Sequence, residues 1–165
     1  MIDNLIYNNN IKILKFRAAM LWADSFYERM EERIFVMKKI MVVDDSGVQR
    51  KMIIQIIRKA GYTNETLEAG DGEQAIEVLG ANFQEVGLVL CDWNMPKMSG
   101  LDFIGGIAKI EVLSKIPVIM VTTEGTAEKI SQAKAVNPNL AGYVAKPFTP
   151  DQLKAAITPI LGAGG

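Results

Sequence analysis

Asp44 and Asp45, Asp92, Thr122 and Lys146 each close a short apolar run: KIMVVDD (39–45), GLVLCD (87–92), PVIMVTT (117–123) and AGYVAK (141–146). Three carboxylates, a hydroxyl and an ammonium that all follow buried segments are expected to meet at one edge of the fold. Clustered carboxylates repel and raise one another's pKa. A divalent cation and Lys146 would together cancel the three negative charges. Oxygen-only donors suit Mg²⁺, and the lack of histidine and of clustered cysteines argues against zinc. A carboxylate in such a setting can attack phosphorus and become an aspartyl phosphate. Phosphoryl transfer asks for charge neutralisation and alignment more than for acid–base help. Asp92, at the end of the central apolar run, is the best placed nucleophile. Taken singly, each residue has a plainer explanation. Aspartates at strand ends form turns or cap helices, threonine favours strands, and lysines are solvated. The five together, at the ends of different runs, are not explained that way.

The 165 residues contain no histidine and one cysteine. That removes Ser-His-Asp and Cys-His catalysis, histidine metal sites and any phosphohistidine on this chain. A disulfide within the chain is impossible, which fits a reducing cytosol and a cytoplasmic protein. With 18 basic and 19 acidic residues the net charge is −1, which gives no electrostatic reason to expect nucleic acid or an anionic membrane. No apolar run approaches the ~20 residues that cross a bilayer.

The elements that must position these residues alternate. After the first apolar run, 46–61 has a helical stripe of Met52, Ile53, Ile56 and Ile57, with Ser46 as N-cap and Gly61 as stop. A short strand (66–69) and a helix between glycines (72–80) follow, then the strand ending at Asp92. A helix over 100–113, a strand over 117–123, a helix over 126–136 and a strand over 141–146 come next. A last helix is announced by Thr149-Pro150-Asp151-Gln152, and Pro159 is expected to end or kink it. Five strands alternating with five helices predict an α/β fold with a parallel sheet covered on both faces. Their continuously apolar strands agree with burial on both sides. Ligands of such sheets sit beyond the carboxyl ends of the strands, where the five residues lie.

Residues 1–36 do not share the alternation. The segment is readable as a docking helix, as an amphipathic surface segment, or as translated sequence upstream of a start at Met37. The domain proper is expected over 37–162. Little sequence follows the last helix, so output by protein contact is expected rather than direct DNA binding.

The stretches VVDDS (42–46), CDWNMPKMSG (91–100), VTT (121–123) and KPF (146–148) resemble the receiver domain of bacterial two-component response regulators. DWNMP and GYVAKPFT (142–149) are similar to its single-domain chemotaxis regulators. The resemblance implies a flavodoxin-like fold with strand order 2-1-3-4-5 and a cis bond before Pro147. It implies Asp92 as phosphoacceptor and a Mg²⁺ site of Asp44, Asp45, Asp92 and the backbone carbonyl of Asn94. Thr122 and Lys146 would contact the phosphoryl group, and Thr122 and Tyr143 would switch with it. Asn94 and Glu124, each two residues beyond a site residue, would tune the phosphoryl lifetime. The implied partners are a histidine kinase as donor and a target at the face of the fourth helix, fifth strand and fifth helix, such as a flagellar motor switch. A phosphorelay intermediate is the nearest alternative. A Mg²⁺-dependent phosphatase with an aspartate nucleophile is a further one. Such hydrolases commonly place an acid where Asn94 stands. Cys91, facing away from Asp92 on the strand, is expected in the core, and Trp93 beside the site.

Overall fold

A computed structural model describes residues 38–162; the extension at 1–36 lies outside them. Five strands, β1 (Lys39–Val43), β2 (Thr66–Ala69), β3 (Val86–Cys91), β4 (Val118–Thr122) and β5 (Leu140–Ala145), form one parallel sheet in the order β2-β1-β3-β4-β5. Five helices connect them: α1 (Gly47–Lys59), α2 (Gly72–Asn82), α3 (Gly100–Ala108), α4 (Ala127–Val136) and α5 (Pro150–Leu161).

The sheet is buried on both faces because successive side chains point opposite ways. Met41, Val43, Val89, Cys91, Val118 and Met120 join one core with Ala75 and Leu79 of α2, Phe103, Ile104 and Ile107 of α3 and Ala133 of α4. The intervening residues Ile40, Val42, Leu88, Leu90, Ile119 and Val121 are equally buried, as are Ile53 and Ile57 of α1 and Leu153, Ile157 and Leu161 of α5. Helices α1 and α5 pack against each other, while α2, α3 and α4 pack in succession.

Local signals set most element ends. Ser46 caps α1 by accepting from the Gln49 N–H. The helix closes with Gly61 N–H on the Arg58 carbonyl and Tyr62 N–H on the Ile57 carbonyl, with Gly61 at φ 93°, the Schellman arrangement in which glycine takes the left-handed position. Thr149 and Gln152 complete the expected capping box of α5. Three helix ends differ from the sequence expectation. Gly80 does not stop α2, which runs to Asn82; a glycine within a helix costs only ~1 kcal/mol, and Ala75 and Leu79 are buried on this one. α3 ends at Ala108 rather than 113, as Lys109 and Ile110 donate three residues back, to Gly106 and Ile107, and the helical ladder is lost. Pro159 does not end α5, for the helix continues to Leu161, which is buried.

One close approach joins fold and site. A Cβ on Gly100 would lie 1.8 Å from the Asp92 carbonyl oxygen and 3.1 Å from Cys91 Sγ. The Gly100 N–H donates to the Trp93 carbonyl at 2.9 Å. The first turn of α3 is thereby pressed onto the backbone of Asp92, and only glycine permits it. Gly100→Ala is expected to lower unfolding stability by about 1–3 kcal/mol, the usual range for overpacking a dense interior. Urea denaturation followed by circular dichroism measures it; an unchanged midpoint would contradict this account of the contact.

Candidate functional site

The sheet carries the acids to one edge by continuing its ladder past the strand ends. Asp44 N–H donates to the Ala69 carbonyl at 3.1 Å, and Asp92 N–H to the Val43 carbonyl at 2.8 Å. On the far side, Lys146 N–H donates to the Thr122 carbonyl at 2.7 Å. The backbones of Asp44, Asp92, Thr122 and Lys146 are thus each tied to a neighbouring strand.

The side chains then converge. Lys146 Nζ lies 2.6 Å from Asp44 Oδ2 and 3.4 Å from Asp92 Oδ1. Asp44 is 1% exposed and Asp92 8%, so the ammonium sits between two acids largely withdrawn from water. Asp44 also accepts from the Ser46 N–H at 2.8 Å through Oδ1. Asp45 is exposed, yet oxygens of Asp44, Asp45 and Asp92 all fall within 4.8 Å of one another. The local balance is three carboxylates against one ammonium. An all-oxygen cluster with that surplus of negative charge fits a hard divalent cation such as Mg²⁺.

Burial is the main force on Asp92 and pushes its pKa above the ordinary carboxylate value. The Lys146 charge, a hydrogen bond from Thr122 and one from the Trp93 backbone pull the other way, and Asp44 adds to the rise. Thr122 is fully buried, and its hydroxyl accepts from the Glu124 N–H at 3.3 Å. The Glu124 side chain accepts from Asn94 Nδ2 at 3.1 Å, which links the loop after β3 to the loop after β4. The Tyr143 hydroxyl donates to the Glu124 carbonyl. Burial, then the charges of Glu124 and Asp92, push that phenol up to about 12, so it stays a donor across the physiological range. Tyr143 therefore stands two residues removed from Asp92, joined to it through Glu124 and Thr122.

Cys91 and Trp93 fall where alternation along the strand puts them. The Cys91 thiol is buried, donates to the Asp92 carbonyl at 3.1 Å, and is pushed well up by burial, with Asp92 and Asp44 reinforcing. It is packing, not a nucleophile. Trp93 is nearly buried, with Lys129 Nζ 4.7 Å from the centre of its ring. The bond between Lys146 and Pro147 is cis, as the resemblance implied.

Sequence inspection missed Arg50. Its Nη1 donates to the Asp44 carbonyl at 2.7 Å while Nε pairs with Glu68 Oε2 at 2.7 Å, so the guanidinium braces the backbone under the acidic pair. Its place in α1, one turn after the N-cap, gives it the look of an ordinary solvated helix residue; only the position of Glu68 on β2 shows otherwise.

A sequence model described as the response regulator receiver domain matches residues 40–158. The chain is 41% identical over 125 residues to chemotaxis protein CheY1 of Helicobacter pylori, covering 75% of this chain and 97% of that protein. It is 41% identical over 123 residues to chemotaxis protein CheY of Pseudomonas aeruginosa, covering 74% and 94% respectively. Among solved structures, chemotaxis protein CheY4 of Vibrio cholerae superposes with a TM-score of 0.66 at 32% identity, over 76% of this chain and 99% of that one. Among the described residues, no helix is long and apolar enough to cross a membrane.

The raised pKa of Asp92 has a definite sign. A carboxyl that holds its proton more tightly when folded than when unfolded costs stability above its folded pKa, and that cost fades as pH falls below the ordinary carboxylate value. Without added divalent cation, Asp92→Asn is therefore expected to melt higher than the wild type at neutral pH. The gap should close towards acid. Thermal denaturation of both proteins from neutral to acid pH measures it, and a variant that melts lower throughout would refute the assignment of burial as the dominant force.

Proposed function

The chain belongs to the response regulator receiver domain family, and from that premise we propose that it is a phosphorylation switch whose acceptor is Asp92. The observation that carries the proposal is the convergence of Lys146 on both Asp44 and Asp92 beside the exposed Asp45. In the proposed step, an Asp92 oxygen attacks the phosphorus of a histidine kinase's phosphohistidine. The P–N bond breaks, an O–P bond forms, and the imidazole departs with a proton from solvent. Water later cleaves the acyl phosphate and restores the carboxylate.

Asp44, Asp45, Asp92 and the Asn94 carbonyl would hold Mg²⁺, which when bound would screen the negative charge of the acids and the phosphoryl group. Lys146 is already within reach of Asp92 and would pair with a phosphoryl oxygen. Thr122 would give up its present partners to donate to another. A phosphoryl group brings about −2 charge where a carboxylate carried −1. Moving Thr122 disturbs Glu124, whose N–H it holds, and Glu124 in turn holds Asn94 and Tyr143. That chain supports coupling of the acceptor to Tyr143 and to the face of α4, β5 and α5. The phosphoryl group favours the switched state only through contacts made better there.

The similarity to chemotaxis proteins supports a role in chemotaxis, in the cytoplasm, with a flagellar motor switch as target. Asn94 and Glu124, bonded to each other across the mouth of the site, would govern the access of water to the acyl phosphate. Glu124→Ala, which frees Asn94, is expected to shorten its lifetime several-fold.

Incubation with Mg²⁺ and acetyl phosphate, read by intact mass, is expected to add one acid-labile phosphoryl group. Asp92→Asn and omission of Mg²⁺ should each abolish it. Steady release of phosphate from added phosphomonoesters would instead mark a phosphatase. Onward transfer to a second histidine domain would mark a phosphorelay intermediate. No modification under any condition would sink the switch.

A further inference from the structure

The loop from Asn94 to Ser99 carries the one metal donor that is not on a strand end, the Asn94 carbonyl. What holds that loop is not the sheet but the start of α2. Gly72 N–H donates to the Met98 carbonyl at 3.1 Å. A Cβ on Gly72 would lie 2.6 Å from Met98 Cγ and 2.8 Å from both its Cβ and its carbonyl oxygen. Next to it, Asp71 serves two ends. Oδ1 caps α2 by accepting from the Gln74 N–H at 2.9 Å, and Oδ2 pairs with Lys97 Nζ at 2.7 Å.

Lys97 has φ 60° and is the only non-glycine residue with positive φ among the described residues. A left-handed backbone is strained for a residue with a side chain and persists where neighbours over-determine it. Here the neighbours are Asp71 on one side and the Gly72–Met98 bond on the other. Hydrogen bonding to Lys97 is the largest influence on Asp71 and holds its carboxyl below the usual range, with the Gln74 N–H next. The acid therefore remains ionised wherever the acceptor chemistry would operate. Opposite, Gly100 and Trp93 close the loop against Asp92.

We propose that Asp71 and Gly72 are positioning residues for the divalent-cation site: the first turn of α2 moulds the Asn94–Ser99 loop into the strained form that aims the Asn94 carbonyl at the acidic cluster. This rests on the cation site assigned above and adds to it a support that touches neither the ion nor the phosphoryl group. The mould explains why a lysine, rather than the glycine its backbone would favour, is tolerated at position 97. The ammonium compensates the strain by pairing with the helix cap. It also accounts for Gly72 at a helical position where alanine would have the better intrinsic propensity.

The test is Mg²⁺ binding to the full chain by isothermal titration calorimetry, with urea denaturation of each protein alongside. Gly72→Ala improves helix propensity and inserts only the clash with Met98. It is expected to weaken Mg²⁺ binding about tenfold or more, the usual consequence of disturbing the shell that orients metal ligands. Asp71→Asn keeps a capping side chain, and Lys97→Asn keeps a residue that tolerates positive φ, while each deletes the ion pair. Each is expected to weaken Mg²⁺ binding a few-fold with little change in urea midpoint, and the double variant no further than either single one, as for two halves of one contact. Wild-type affinity in all three single variants overturns the inference and leaves the switch intact. Absence of Mg²⁺ binding by the wild type itself overturns both. Loss of affinity strictly in proportion to loss of stability would reduce Asp71 and Gly72 to ordinary structural residues.

Discussion

The ammonium of Lys146, held between Asp44 and Asp92, is the contact on which the site depends. Two nearly buried carboxylates this close, with a third beside them, repel one another, and a fixed positive charge offsets part of that repulsion. Lys146 supplies part of the compensation from β5, two strands away from β3. It is held there by its own backbone bond to Thr122, so the charge arrives with the sheet rather than with a mobile side chain. The compensation is incomplete, and the surplus of negative charge that remains favours a divalent cation.

Around that contact the molecule divides into rigid and conditional parts. The acids stand on parallel strands buried on both faces, with every neighbouring residue of the core packed. The loops after β3 and β4 are joined chiefly by polar contacts: Asn94 to Glu124, Glu124 to Thr122, Tyr143 to Glu124. Packed interiors resist small displacements, whereas hydrogen bonds between loops can be exchanged one for another at modest cost. Chemistry at Asp92 would thus be felt first along Glu124 and its partners, and the strands would keep the acceptor still while that happened. The loop after β3 belongs to both parts, since Gly100 and Gly72 pin its ends and Lys97 carries its strain.

Much of this was legible before any coordinates. The order of strands and helices followed from apolar period and cap residues. Ser46, Gly61 and the Thr149–Gln152 box stand at the element ends they foretold, because capping is a local interaction between residues a few positions apart. The expected boundaries failed where the deciding contact was tertiary. Gly80 and Pro159 are poor helix residues by propensity, but Leu79 and Leu161 are buried beside them. The helix expected to reach 113 stops at Ala108 because its last carbonyls are taken by residues three ahead, a choice that period alone does not reveal.

By itself the sequence determined the chemical inventory: no imidazole, one thiol, and acids, a hydroxyl and an ammonium each placed at the end of an apolar run. Those are properties of residue type and spacing, and no packing could alter them. The tertiary structure decided which of those groups meet. It put Lys146 against two aspartates from other strands, set Arg50 under Asp44 through Glu68, and laid Asp71 and Gly72 against a loop 22 or more residues ahead in the chain. Such meetings depend on the strand order and on the absence of a Cβ at single positions, and distances between residues remote along a chain exist only once the chain has folded.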